Sequence, residues 1–307
     1  MPQRGFPLSP GERTNRAALA AELGYRAPTP LQRGMFKPNR GPYQNDLFLF
    51  HDPHANPYGD ILGDQTIQYV GQGQTRHGDQ RLTSFNRSLF RHLEDGVNVH
   101  FFVKQPEGDL LYEGEVICEG VERVYRPAEK RSVLAFTLTR VNSEGAGSHE
   151  PALDFYRLAK EQLIEQQFSD PSFVDRPVVT SMAQRAIRSV AFREVVVKAY
   201  AQKCAVCGDV LSTGDFAELE AAHIVGVSER GRDDPRNGLS LCVRHHWAFD
   251  HGAFTILDDY TIRSLLNRPD PHKEIEDGAS MLLPVDPALR PHPWYLQFHR
   301  AKWGATP

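Results

Sequence analysis

The sequence predicts an α+β protein of two domains, and three observations carry that expectation. Its 307 residues are enough to bury two ordinary hydrophobic cores. Residues 43–141 are dominated by short alternating apolar runs, the pattern of strands, whereas the next stretch has the spacing of helices. Cysteine and histidine then crowd into the last third of the chain, which points to a small domain organised around a metal.

Composition bounds what such a chain does. With 40% hydrophobic and 24% charged residues it reads as a soluble globular protein, and no apolar run approaches the roughly eighteen residues needed to cross a bilayer. The opening MPQRGFPLSPGERT has no apolar signal core, so a cytoplasmic protein with no membrane partner is expected. A formal net charge of -4 argues against a surface that coats nucleic acid everywhere. Residues 1–40 nevertheless carry seven basic and two acidic side chains, an arm suited either to a polyanion or simply to solubility.

Along the chain, DLFLFH, TIQYVG, VNVHFFVK, LLYEGEVICEGVERVY and SVLAFTLTRV are strand-like runs separated by Gly, Pro, Asn and Asp. LTSFNRSLFRHLEDG interrupts them with helical apolar spacing and a terminating Gly96. A β-rich domain over 1–145 with one inserted helix follows. The polar NSEGAGSHEP stretch marks its end. ALDFYRLAKEQLIEQQF then forms a helical linker within 146–180, and SMAQRAIRSVAFREVVVKAYA opens the last domain, 181–307, delivering Cys204 at its end. The final HPWYLQFHRAKW carries aromatics suited to packing back on that domain.

The cysteines number four, and without an export signal a disulfide framework is not expected. Cys118 stands alone in an alternating run and reads as a small buried apolar residue. Cys204 and Cys207 are separated by two residues, and Cys242 with His245 repeats that spacing. Two such knuckles complete a tetrahedral Cys3His set, the donor chemistry of a structural Zn2+.

Within this frame the order C-x-x-C, AAHI, RNGLSLC and C-x-x-H-H, over about residues 195–262, resembles the HNH nucleases of the ββα-metal class. The resemblance makes His223 the first histidine, Asn237 the asparagine and His246 the last histidine of the catalytic set. His223 is then the proton acceptor from attacking water. A divalent Mg2+ or Mn2+ neutralises charge developing on the phosphate. His246 is the expected ligand of that ion, joined by Asp250, which lies one turn on if HHWAFD is helical. Asn237, following the turn at Asp234-Pro235, is expected to tie its loop to the histidine strand. His251 would point elsewhere. Where many relatives have an acidic or histidine ligand just before the first histidine, this chain has Ala222, so the third ligand must be another residue, with Glu220 one choice.

In the first half, YVGQG at 69–73 and GDQRLTSFNRSL at 78–89 resemble the SRA (SET and RING associated) domain, carried by Tyr69, Gly71, Gly73, Asp79, Gln80, Leu82, Thr83, Asn86, Arg87 and Leu89. That family has a PUA-like β-barrel which flips a modified cytosine from duplex DNA. The resemblance implies Tyr69 and Tyr58 as stacking partners and Asp60 as acceptor from the exocyclic amine, with Asp79, Asn86 and Arg87 tying the helix to the barrel.

Together the two resemblances imply a modification-dependent restriction endonuclease. It would read 5-methylcytosine or 5-hydroxymethylcytosine in double-stranded DNA and act as a homodimer or DNA-bridged pair to break both strands. A non-catalytic reader of modified DNA, and a nuclease for unmodified or damaged DNA, remain open at this level.

Overall fold

The computed structural model describes residues 6–28, 31, 34–55, 59–73, 78–141, 152–174, 182–210, 212–213, 216–266 and 275–305. The chain forms two compact units, 1–156 with 181–187, and 157–180 with 188–307. Among the described residues no helix is long and apolar enough to cross a membrane.

The first unit contains β1 (Arg13–Thr14), α1 (Arg16–Glu22), β2 (Met35–Phe36), β3 (Leu47–His51), β4 (Ile61–Leu62), β5 (Thr66–Val70), α2 (Ser84–Phe90), β6 (Val99–Lys104), β7 (Leu110–Arg126) and β8 (Arg131–Arg140). The strands pair in the order β2-β3-β6-β7-β8-β5-β4, with β1 added on β7. All neighbours are antiparallel except β3 and β6. The long β7 pairs with β6 through its first half and with β8 through its second, and register shifts at Phe101/Phe102 and Cys118/Gly120 let the sheet bend. Phe48, Phe101, Phe102 and Phe136 are completely buried, and β3 and β6 are buried on both faces along nearly their whole length. Leu19 of α1 and Leu23 just after it close the aromatic layer formed by Phe36, Phe48, Phe50, Phe102 and Tyr112.

Polar residues of this unit act mainly as clamps. The Asp79 carboxylate accepts the Ser132 amide at 2.6 Å, and Gln80 Oε1 accepts Leu134 N–H at 2.8 Å while its amide donates to Gly71 O at 2.5 Å. Asn86, buried on α2, accepts Gln72 N–H at 2.7 Å and donates to the carbonyls of Gln72 and Arg81. Gly71 must be glycine because a Cβ there would press on both carboxamides and on Phe136. His92 is wholly buried, with Nδ1 3.0 Å from Val97 O and Nε2 accepting the Cys118 amide at 3.1 Å. Burial pushes this imidazole down to about 4, so it stays neutral as one donor and one acceptor. Cys118 is buried, as its alternating context predicts.

The second unit takes up most of α3 (Ala152–Gln166) and of α4 (Met182–Ala199), followed by β9 (Ser212–Thr213), β10 (Phe216–Ala217), β11 (Leu219–His223), β12 (Gly238–Cys242), α5 (Val243–Asp250), β13 (Phe254–Ile256), β14 (Ile262–Ser264) and α6 (Pro293–Lys302). β11 and β12 pair antiparallel from Leu219↔Cys242 to His223↔Gly238, and α5 follows β12 without a loop, giving a β-β-α core. The aromatic tail forms α6, which buries Tyr295 and Leu296.

This unit has fewer large side chains to bury and more ionic anchoring. Arg236 bonds both carboxylate oxygens of Asp234 and the carbonyls of Gln166 and Ser169, so the turn before β12 is fixed to the end of α3. Tyr295 O–H adds a bond to Asp234 at 3.2 Å. His299 of α6 stacks on Phe249 at 3.8 Å and sits between Thr255 and Trp303, and burial pushes it down to about 4.

Candidate functional site

The metal knuckles assemble first. The Sγ atoms of Cys204, Cys207 and Cys242 and a ring nitrogen of His245 lie within 4.8 Å of one another. His245 Nδ1 is 3.1 Å from the Cys242 sulfur and 3.5 Å from that of Cys204. A tetrahedral zinc with bonds of about 2.3 Å to sulfur and 2.0 Å to nitrogen spaces those donors at about 3.5 Å. The ring turns Nδ1 into the cluster although its buried Nε2 then has no hydrogen-bond partner among the described residues, which is the orientation of a ligand rather than of a hydrogen-bonded histidine. Cys207 is exposed, but partial desolvation of its sulfur beside Cys204 and Cys242 pushes its thiol up, and a bound cation would favour the thiolate instead.

One residue further along α5 begins a second cluster. His246 Nδ1 lies 2.5 Å from Glu220 Oε2, and its Nε2 is 3.4 Å from Asp250 Oδ2. The hydrogen bond to Glu220 holds His246 above the usual imidazole range and Glu220 below the usual carboxylate range. Strand alternation puts Glu220 and Ala222 on one side of β11, where Ala222 is fully buried and Glu220 half-exposed. Two carboxylates and one imidazole are a donor set for a hard or borderline divalent ion. Asp250 stands where the helical spacing puts it. Glu220 is the acidic residue that the fold brings to His246, on the Nδ1 side of the ring, while Asp250 lies on the Nε2 side.

His223 ends β11 and makes its contacts with other residues. Its Nε2 lies 3.0 Å from Asp233 Oδ1, and its ring stacks on Phe192 of α4 with centroids 4.0 Å apart and planes 8° from parallel. Asn237 is completely buried. It accepts Val225 N–H at 2.8 Å and donates to the carbonyls of Val225 and Arg232, so it clamps the loop between β11 and β12. All three of these side-chain bonds are to loop backbone. His251 is exposed, stacked on Trp247 at 4.4 Å.

In the first unit, Asp60 accepts Val70 N–H at 2.8 Å through Oδ1 and lies 2.9 Å from His51 Nδ1 through Oδ2. A carboxylate has lone pairs for further donors even so. Tyr69 is 2% exposed, packed perpendicular to Phe101 with its hydroxyl donating to Gly34 O at 2.6 Å, so it belongs to the core and is not an open platform. Tyr58 lies outside the described residues. A cavity of about 250 Å³ is lined by residues of the 71–81 segment and the start of α2, including Gln72, Asp79 and Asn86.

Asp233 is the one site residue that sequence reasoning did not name. No spacing or motif signals it, because the fold of the 224–237 loop alone brings it to His223.

Residues 34–156 match the family model described as ScoMcrA-like, SRA domain, and residues 204–257 match that of the HNH endonucleases. Among solved structures the chain is similar to a modification-dependent TagI restriction endonuclease, at 18% identity over 96% of this chain and 93% of that one, with a TM-score of 0.46. It is similar to the SUVH5 SRA domain solved with hemi-methylated CG DNA, at 18% identity over 48% of this chain and 97% of that one, TM-score 0.37. It is also similar to the type IV phosphorothioation-dependent restriction endonuclease ScoMcrA, at 20% identity over 81% of this chain and 60% of that one, TM-score 0.33. No curated protein matches the chain.

Proposed function

For a chain that joins an SRA domain of the ScoMcrA-like kind to an HNH endonuclease domain, we propose that the first unit reads a modified cytosine, 5-methyl or 5-hydroxymethyl, in double-stranded DNA and the second hydrolyses the phosphodiester backbone. The observation that carries the nuclease half is the pair of adjacent donors on α5: His245 turned into the Cys3His cluster and His246 flanked by Glu220 and Asp250. The Cys3His set would hold zinc and keep the turn rigid. His246 and Asp250 would hold Mg2+ or Mn2+, with Glu220 bonded to the other ring nitrogen of His246, and the ion when bound supplies a Lewis acid for the phosphate oxygens.

His223 is the proton acceptor for the attacking water, its ring plane set by Phe192. Asn237 is a positioning residue, since every contact it makes is with loop backbone. In the first unit Asp60, held by Val70 N–H, offers its remaining lone pairs to the exocyclic amine of an extruded cytosine, with Tyr58 as stacking partner. Thymine has no such donor and would be rejected. Extrusion costs a few kcal/mol of stacking and pairing, which the pocket must repay. Cutting both strands calls for two nuclease sites, hence a homodimer or two chains on one duplex.

The test uses methylated, hydroxymethylated and unmodified duplexes with Mg2+, Mn2+ or EDTA. Cleavage confined to modified DNA and abolished by EDTA supports the proposal. Equal cleavage of all three duplexes sinks the reading unit's role, and binding without cutting in either metal sinks the catalytic one.

A further inference from the structure

We propose that Asp233 sets His223 in its working tautomer and that Asn237 acts through it. This rests on the reading of His223 as proton acceptor. Asp233 stands between two anchored neighbours: the Arg232 carbonyl is held by Asn237, and the Asp234 carboxylate by Arg236 and Tyr295. The rest of the 224–237 loop is tied as firmly. Ile224 N–H donates to Asn237 O at 2.9 Å, Gly231 N–H to Gly226 O at 3.0 Å, and Arg230 takes a left-handed turn with φ of 66°. Gly231 lies so close to the Val225 carbonyl that any Cβ would overlap it. The clamped backbone therefore delivers the Asp233 carboxylate to His223 Nε2 at 3.0 Å, with both side chains mostly shielded at 15% and 19% exposure.

A carboxylate only accepts, so the nitrogen facing it carries the hydrogen. Nε2 is then the donor and Nδ1 holds the lone pair, in a ring whose plane is fixed by stacking on Phe192. During attack the water oxygen forms its bond to phosphorus and its proton passes to Nδ1. The bond to the leaving oxygen breaks with its electron pair on that oxygen, which takes a proton from solvent water. The imidazolium so formed is stabilised by Asp233, which stays ionised.

The experiment compares the zinc-loaded full chain with Asp233→Asn and Asp233→Glu. Long-range 1H–15N imidazole spectra, assigned by the signals lost in His223→Gln, should show the Nε2–H tautomer in the parent. In Asp233→Asn the new amide can donate to Nε2, so the ring should move to the Nδ1–H form, while Asp233→Glu keeps Nε2–H. On modified duplex, Asp233→Asn should lower kcat by about 100-fold with KM unchanged, the range seen when a group supporting a functional histidine is removed, and Asp233→Glu should recover most of it. An Nδ1–H tautomer in the parent, a spectrum unmoved by Asp233→Asn, or an unchanged kcat overturns the proposal. If the spectra behave as expected but the parent cuts no DNA, the dyad stands and the nuclease reading falls.

Discussion

The two units solve the same problem with different means. Each has a loop that must be held still, and each holds it with a buried carboxamide: Asn86 across Gln72 and Arg81 in the first, Asn237 across Val225 and Arg232 in the second. Around that clamp the first unit has a sheet of eight strands and a layer of buried phenylalanines, which would fold whether or not an ion is bound. The second has, among the described residues, only two-stranded sheets, together with helices, buried ion pairs and the Cys3His cluster. The lesson is that rigidity comes from apolar area where the sheet is broad and from donors and ions where the sheets are only two strands wide.

The sharpest way to break this symmetry is to remove the zinc ligands. Cys204→Ser, or chelation, should abolish cleavage and destabilise the second unit by several kcal/mol, since structural zinc contributes its binding energy to folding. Calorimetry should then show the second unit melting early, with binding of modified duplex retained. A single unshifted transition would mean that the cluster is not a zinc site.

Next in size is His223→Ala, expected to reduce kcat at least 100-fold, the usual contribution of a general base, with duplex affinity by fluorescence anisotropy unchanged. A variant that still cuts at the parental rate would remove His223 from the chemistry.

Acidification should strike both units together. His92 in one and His299 in the other have folded values near 4, below the ordinary 6.5. Between those values the unfolded chain takes up a proton that the folded chain refuses. The contribution of each histidine is thus complete above pH 6.5, falls as the pH drops toward 4 and is constant below, a loss of up to about 3 kcal/mol per histidine. Urea midpoints measured from pH 7 to 4 check this, and His92→Gln should flatten the dependence of the first unit alone.

Asn86→Ala comes after these. It strands the Gln72 and Arg81 backbone groups and should cost about 2 kcal/mol, read as a lower urea midpoint for the first unit. The smallest effect is expected for Asp60→Asn, about tenfold in preference for modified cytosine over thymine at the same position, measured by competition binding.

How much of this was legible in the sequence depends on how local each cause is. The Cys204/Cys207 and Cys242/His245 knuckles, and the turn from His246 to Asp250, are set by spacings of two or three intervening residues, which sequence displays directly. The Asp79, Gln80 and Asn86 clamps were readable as a motif, although which backbone groups they hold was not. Tyr69 shows the limit: alternation says that it faces inward, but not whether inward means a pocket or the Phe101 core. Glu220 needed the register of β11 against β12 and the direction of α5 before its carboxylate could be placed on His246. Asp233 was invisible because a loop held by Asn237, Gly231 and Asp234 has no periodicity to read.

The adjacency of His245 and His246 also has a consequence in time. Domains fold as units in the order in which they leave the ribosome. The strands of the first unit are complete by Arg140, a hundred residues before Cys242 closes the second knuckle. A newborn chain therefore passes through an interval in which the strands of its first half are complete and its Cys3His donors are not yet all made. If that cluster takes a metal, loading it comes late in maturation, and a cell short of the metal would accumulate chains folded at one end only.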